Sequence, residues 1–118
     1  PHIPEKSYAF YLAKTYDEEL IAGGVEIYEY TPGFVHAKVF TSDDDTATVG
    51  SINLDYRSLY LHFECGVFIY RNPVVRDIEK DFQDTLAKCQ KVTMTEVRNR
   101  STFVKIYGQV LRLVAPLM

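Results

Sequence analysis

A chain of 118 residues that is 47% hydrophobic and 14% aromatic can bury the core of one domain and is too apolar for a disordered tail. Sixteen acidic against thirteen basic side chains give a net charge of -3, which argues against nucleic acid as the main partner. The sequence has no run of about 18 apolar residues and no charged-then-apolar leader, so the piece reads as soluble as written.

The opening Pro1-His-Ile-Pro4 reads as a cut inside a longer protein, and His2 belongs to that end. From Ser7 to Ala22, Tyr8, Leu12, Tyr16 and Leu20 recur at steps of four. This is the core stripe of one amphipathic helix, closed by Gly23-Gly24. Val25 to Tyr30 is expected as a strand whose tyrosines, Tyr28 and Tyr30, pack in the sheet, and Pro32-Gly33 as a turn.

The next stretch carries the chemistry. A strand over 34–40 puts His36 and Lys38 on one face and Val35, Ala37 and Val39 on the other. The run from Thr41 to Thr46 then reverses the chain, so that 47–50 pairs back on the first strand. With Phe40 opposite Ala47, Lys38 falls opposite Val49 and His36 opposite Ser51. An imidazole, an ammonium, a hydroxyl and the Asn53 carboxamide then share one patch, a set suited to holding and moving a phosphoryl group. Preorganised donors of this kind are worth about 3 to 4 kcal/mol each in the transition state. A histidine either attacks phosphorus or shuttles the alcohol proton. Asp43 and Asp45 occupy positions 1 and 3 of a calcium loop that then fails at Ala47, Thr48 and Leu54, so no metal is expected. Cys65 and Cys89 are too few and too distant for a metal site or a disulfide scaffold, and are expected as reduced packing residues.

Beyond Asn53, Arg57 has two open readings, a phosphate contact or a pairing with Asp55 or a backbone carbonyl. His62 is a packing or surface histidine. Glu64 to Tyr70 is a further strand, partly covered on both faces. Asn72 caps a second helix with Pro73 at its first position and Val74, Ile78, Phe82 and Leu86 as its buried stripe. Residues 91–100 read as a polar connection. A third helix starts near Ser101, shows Phe103, Ile106, Tyr107, Val110, Leu111 and Val114 on one face, and stops at Pro116; Leu117 and Met118 pack on further protein or touch membrane. Residues 88–118 hold six basic and one acidic side chain, and Arg98, Arg100, Lys105 and Arg112 face either anionic headgroups or solvent. The architecture expected is α/β: a mixed sheet of four or five strands flanked by three helices.

The full pattern H-x-K-x4-D-x6-G-S-x-N, from His36 through Lys38, Asp43, Gly50 and Ser51 to Asn53, resembles the signature of the phospholipase D superfamily. The stretches Ala22 to Lys38, Gly50 to Leu59 and Leu113 to Met118 are similar to the C-terminal half of bacterial cardiolipin synthases, so the resemblance covers nearly the whole chain. It implies a phospholipase D-like half-domain, residues 1–118, truncated at its N-terminus and carrying one of two motifs. The reaction it implies is phosphatidyl transfer, with phosphatidylglycerol as substrate and no cofactor. The partner implied is an N-terminal half in the same parent, which meets the bacterial membrane. It assigns His36, Lys38, Asp43, Ser51, Asn53 and Glu64 to the site. Within that set Glu64 orients His36, Ser51 supports it, Gly50 allows close backbone approach, and Asp43 serves as a turn and hydrogen-bonding residue. Two rivals stand beside it: a single-motif phosphodiesterase or nuclease active as a homodimer, and a fragment that is inert alone.

Overall fold

The computed structural model describes residues 7–115; Pro1-His-Ile-Pro4 and the expected stop at Pro116 with Leu117 and Met118 lie outside the described residues. In chain order the elements are α1 (Ser7–Lys14), α2 (Asp17–Ala22), β1 (Tyr28–Tyr30), β2 (Lys38–Ser42), β3 (Thr46–Gly50), a π-helical turn (Arg57–Leu61), β4 (Gly66–Tyr70), α3 (Val74–Leu86), β5 (Cys89–Lys91), α4 (Met94–Arg98) and α5 (Thr102–Val114). The fold is α/β. Its described strands form two antiparallel sheets, β1-β5 and β2-β3-β4, in place of one mixed sheet. The chain divides into two compact units, one of Val35–Lys88 and one made by the chain up to Phe34 with the chain from Cys89 on.

In the unit that holds both chain ends, the single helix expected over 7–22 is two helices. Thr15 Oγ1 donates to the Leu12 carbonyl at 2.6 Å. The Arg100 guanidinium donates to the Lys14 carbonyl at 2.9 Å and to Asp17 Oδ2 at 2.7 Å, so one side chain closes α1 and anchors the start of α2. Leu12 and Tyr16 are half-buried, but Tyr8 and Leu20, the ends of the expected stripe, are exposed. β1 starts later than the strand expected from Val25, and pairs Glu29 with Gln90 of β5. β5 and α4 fall where a polar connection was expected. α4 opens on a capping box, with Thr93 and Glu96 each satisfying the other's backbone N–H. α5 begins after Ser101 as expected and packs on α1 through Gly108, where an added Cβ would strike the Thr15 methyl, and through Tyr107, edge-to-face on Tyr11 at 5.8 Å. Phe103, Ile106 and Val110 of its apolar face remain exposed.

The basic residues of this unit are paired within it. Arg98 lies 3.6 Å from Glu18, Arg100 pairs with Asp17, Arg112 reaches Glu19 at 2.8 Å, and Lys105 donates to the Arg98 carbonyl at 2.7 Å. The acidic start of α2 answers part of the basic end of the chain, while Arg98 and Lys105 remain exposed to solvent.

The Val35–Lys88 unit is a three-stranded meander with α3 on one face. Its register sets Lys38 opposite Gly50, Phe40 opposite Thr48 and Ser42 opposite Thr46, one residue away from the expected pairing. The hairpin loop is the three residues Asp43 to Asp45, and Asp43 (φ 54) and Asp44 (φ 59) are left-handed, a conformation aspartate tolerates. A one-residue slip exchanges the faces of a strand. The observed register gathers Val39, Val49 and Val67 with Thr41, Ala47 and Ile69 on one side. That side meets α3, where Thr41 donates to Glu79 at 3.1 Å and Ala47 and Val75 are each only 1% exposed. The expected register would have turned the Lys38 ammonium toward the helix.

Asn72 Oδ1 accepts from the Val74 N–H at 3.0 Å, the cap expected of it. The buried stripe of α3 begins at Val75 rather than at exposed Val74, and continues through half-buried Ile78, Phe82 and Leu86. β4 carries Val67, Phe68 and Tyr70 exposed and Ile69 half-buried, so the partial cover expected on both faces is found on the Ile69 side, and Cys65 before it is exposed rather than packed, while Cys89 is half-buried.

Candidate active site

The strand expected to carry His36 starts two residues later, at Lys38. The reason lies on β3, which ends at Gly50 opposite Lys38. The next N–H, that of Ser51, bonds the Cys65 carbonyl at 2.9 Å, so no ladder partner continues toward residue 36. His36 therefore stands on the loop that feeds β2, exposed. Lys38 Nζ donates to the His36 carbonyl at 2.7 Å and lies 2.9 Å from both ring nitrogens. An ammonium equidistant from the two can use only the lone pair of the unprotonated one. The imidazole and the ammonium are thus one cluster.

A second cluster forms where β3 and β4 meet. Gly50 faces Gly66, and a Cβ on Gly50 would lie 2.7 Å from the Gly66 Cα and closer still to the Cys65 carbonyl oxygen. The close approach expected at Gly50 is thus between backbones of neighbouring strands. It sets Ser51 against the start of β4, where its hydroxyl donates to Glu64 Oε2 and accepts from the Cys65 N–H at 3.1 Å. Behind it, Asp55 Oδ1 accepts the Ser58 N–H at 2.7 Å and nucleates the π-helical turn. Ser58, buried at 8% exposure, receives the Asn53 Nδ2–H at 3.4 Å. Sequence reasoning quoted Ser58 but gave it no role; the Asp55-x-x-Ser58 spacing of an Asx turn was the available signal.

The Ser51 hydroxyl first, then the Ser58 hydroxyl, hold the Glu64 carboxyl below the ordinary glutamate value, with His62 and Lys38 adding smaller favourable charge. Lys38 stands opposite Gly50, the residue before Ser51, so the two clusters lie at the same end of the β2-β3 hairpin. Arg57 pairs with neither Asp55 nor a backbone carbonyl. Its Nε–H donates to Nε2 of exposed His62 at 2.6 Å. Asp43 is not brought to the patch. It sits at the hairpin tip, five residues along from Lys38, and accepts the Ser42 hydroxyl at 2.9 Å.

The patch is open surface rimmed by exposed apolar side chains of the same unit: Leu54 at 78%, Tyr60 at 75%, Leu61 and Phe63. Among the described residues no group of three or more His, Cys, Asp or Glu side chains is placed to hold a metal ion, and no helix is long and apolar enough to cross a membrane.

Residues 4–86 match the family described as cardiolipin synthase, PLD-like domain. The chain is 51% identical over its whole length to an uncharacterized protein of Streptococcus mutans serotype c, of which it covers 26%. It is 38% identical over its whole length to a cardiolipin synthase of Clostridium perfringens (strain SM101), covering 25% of that protein, and 35% identical to one of Halalkalibacterium halodurans, covering 24%. It thus spans about a quarter of the length of the curated relatives it matches. No solved structure matches. With its site residues gathered in one unit and its whole length aligned to these relatives, the chain belongs to the cardiolipin synthase family of phospholipase D-like domains.

Proposed function

We propose that this chain is one part of a longer bacterial cardiolipin synthase, in which it supplies one of two motifs for joining two phosphatidylglycerol molecules into cardiolipin and glycerol. The observation that carries the reading is the Lys38 ammonium held against the His36 imidazole beside the Ser51, Glu64, Ser58 and Asn53 network. An open patch without enclosing walls suits half of a site completed by a second motif. The exposed Leu54, Tyr60, Leu61 and Phe63 suit a lipid substrate and the membrane surface at which the parent works.

The reaction runs in two displacements. The histidine of the other motif attacks phosphorus and forms a phosphohistidine, while His36 gives its proton to the departing glycerol oxygen. The hydroxyl of a second phosphatidylglycerol then loses its proton to His36 and displaces the histidine from phosphorus, which restores both groups. Lys38 and Asn53 donate to the non-bridging oxygens, whose charge grows as the new bond forms. Ionised Glu64 braces the His36 ring and favours its protonated form before the first step and after the second.

The test is His36→Ala in the parent, assayed with phosphatidylglycerol vesicles. General acid and base catalysis is worth about 10² to 10⁴ in rate, and cardiolipin formation should fall by that much. Normal synthesis by the variant would overturn the assignment. The isolated chain should show no turnover; turnover by a dimer of it in sedimentation would instead favour the single-motif homodimer.

A further inference from the structure

We propose that Arg57, held by His62 at the start of the π-helical turn, binds the phosphodiester of the acceptor lipid, the second phosphatidylglycerol whose hydroxyl completes the transfer. The inference rests on the reading of His36, Lys38 and Asn53 as the groups that handle the reacting phosphoryl, and it names where the other phosphate goes.

The chemistry of the acceptor calls for such a group. In phosphatidylglycerol the attacking hydroxyl and the lipid's own phosphate stand at opposite ends of one three-carbon glycerol, so transfer brings a second anion within a glycerol's length of the first. Lys38 and Asn53 are committed to the first. Arg57 is tied to the same patch at two points. Ser58, the next residue, accepts the Asn53 amide at 3.4 Å. His62, the side-chain partner of Arg57, precedes by two residues Glu64, which accepts the Ser51 hydroxyl. Two residues of chain span at most about 7 Å. The charge of Arg57 is also left uncancelled. Arg71 of the same unit lies 3.5 Å from the Asp45 carboxylate, whereas the partner of Arg57 is an imidazole and no carboxylate pairs with it among the described residues. The contact with His62 takes only the Nε–H, at 2.6 Å, so it steadies the guanidinium and leaves its two terminal NH₂ groups for a pair of phosphate oxygens. The turn does not need this side chain to close, because the His62 N–H bonds the Arg57 carbonyl at 2.8 Å. Tyr60 and Leu61, on the same turn and exposed, offer apolar surface to the rest of the lipid.

The test compares two acceptors in the parent. Exchange of labelled glycerol into phosphatidylglycerol uses the same donor lipid and the same phosphohistidine, but its acceptor carries no phosphate. The glycerol hydroxyl gives its proton to His36 and displaces the histidine from phosphorus, which regenerates phosphatidylglycerol. In phosphatidylglycerol vesicles, Arg57→Ala should lower cardiolipin formation by about tenfold, the worth of one hydrogen bond to a charged group, while glycerol exchange keeps the wild-type rate. Arg57→Lys keeps the charge without the fork and should fall between the two. Arg57→Gln loses the charge and should follow Ala; it is the variant to use if Ala fails to fold. Equal loss of both reactions would overturn the proposal, since a residue for the donor phosphate, for membrane attachment or for the fold would act on both. So would wild-type cardiolipin formation by Ala or Gln. If His36→Ala leaves both reactions intact while Arg57→Ala still separates them, the motif reading has failed and the acceptor site stands. If His36→Ala abolishes both while Arg57→Ala lowers them alike or not at all, only the acceptor site has failed.

Discussion

The unit that joins α1 and α2 to β5, α4 and α5 answers its cations with carboxylates: Arg98 with Glu18, Arg100 with Asp17, Arg112 with Glu19, and Lys14 with Glu29. In the Val35–Lys88 unit the motif cation does something else. Lys38 bonds a carbonyl and an imidazole, neither of which cancels its charge, while Glu64 accepts the Ser51 hydroxyl. The contrast separates charge used to hold a fold from charge kept for a ligand. A paired and half-buried guanidinium is expensive to remove, because its partner is left behind without compensation. An ammonium bonded to neutral groups leaves no carboxylate behind when removed, so it costs the fold less and the chemistry more.

The sharpest way to break that contrast is Arg100→Ala, which should have the largest effect on stability. It strips Asp17, a buried carboxylate, of its partner and leaves the Lys14 carbonyl at the end of α1 without its donor. A loss of about 3 kcal/mol follows from the usual cost of breaking a buried pair, read as a lower urea midpoint for the chain. Lys38→Ala, measured beside it, should leave the midpoint where it was. If both variants unfold at the same denaturant concentration, the division of labour between the two units does not hold.

Gly50→Ala comes next and tests the other unit. The added Cβ would sit 2.7 Å from the Gly66 Cα, against backbone that cannot swing aside. Forced overpacking of this kind costs about 2 kcal/mol. Because the strain falls where β3 meets β4, the Ser51 N–H, bonded to the Cys65 carbonyl at 2.9 Å, should lose exchange protection first. Protection at Ser51 equal to the wild type would mean that the strands approach less closely than described.

What could be read in advance follows the length and periodicity of each element. α3 and α5 were legible because thirteen residues of helical spacing leave a long signal, with Asn72-Pro73 and Ser101 as start marks. The hairpin was legible from its aspartate turn, but its register was not. A four-residue loop and the observed three-residue loop are both compatible with Ser-Asp-Asp-Asp, and only the packing of Ala47 and Val49 toward α3 decides between them. The motif residues were found by spacing, whereas the burial of Ser58 has no counterpart in spacing. The break between α1 and α2 comes from Arg100, 85 residues beyond Thr15, and no local pattern announces a side chain arriving from so far along the chain. β5 is three residues long, too short for alternation to show.

α4 is the instructive miss, since its signal was present. Thr93-x-x-Glu96 is a capping box by sequence, yet the helix that follows is five residues long and weakly apolar, so a polar connection was the natural reading. In the structure the Thr93 hydroxyl accepts from the Glu96 N–H at 3.3 Å while the Glu96 carboxylate accepts the Thr93 N–H at 2.8 Å, and buried Val97 ties the helix to its unit. Helices this short do not persist on propensity, so the cap should matter more for the local structure than for the whole chain. Thr93→Ala is therefore expected to give the smallest of these stability losses, about 1 kcal/mol. The loss should be concentrated in the exchange rates of the Val97 and Asn99 amides, which donate to the Thr93 and Thr95 carbonyls at 3.1 and 3.0 Å. Thr93→Ser, which keeps the accepting oxygen, should recover most of it. If Ala and Ser behave alike, α4 is held by Val97 and its neighbours rather than by its first turn.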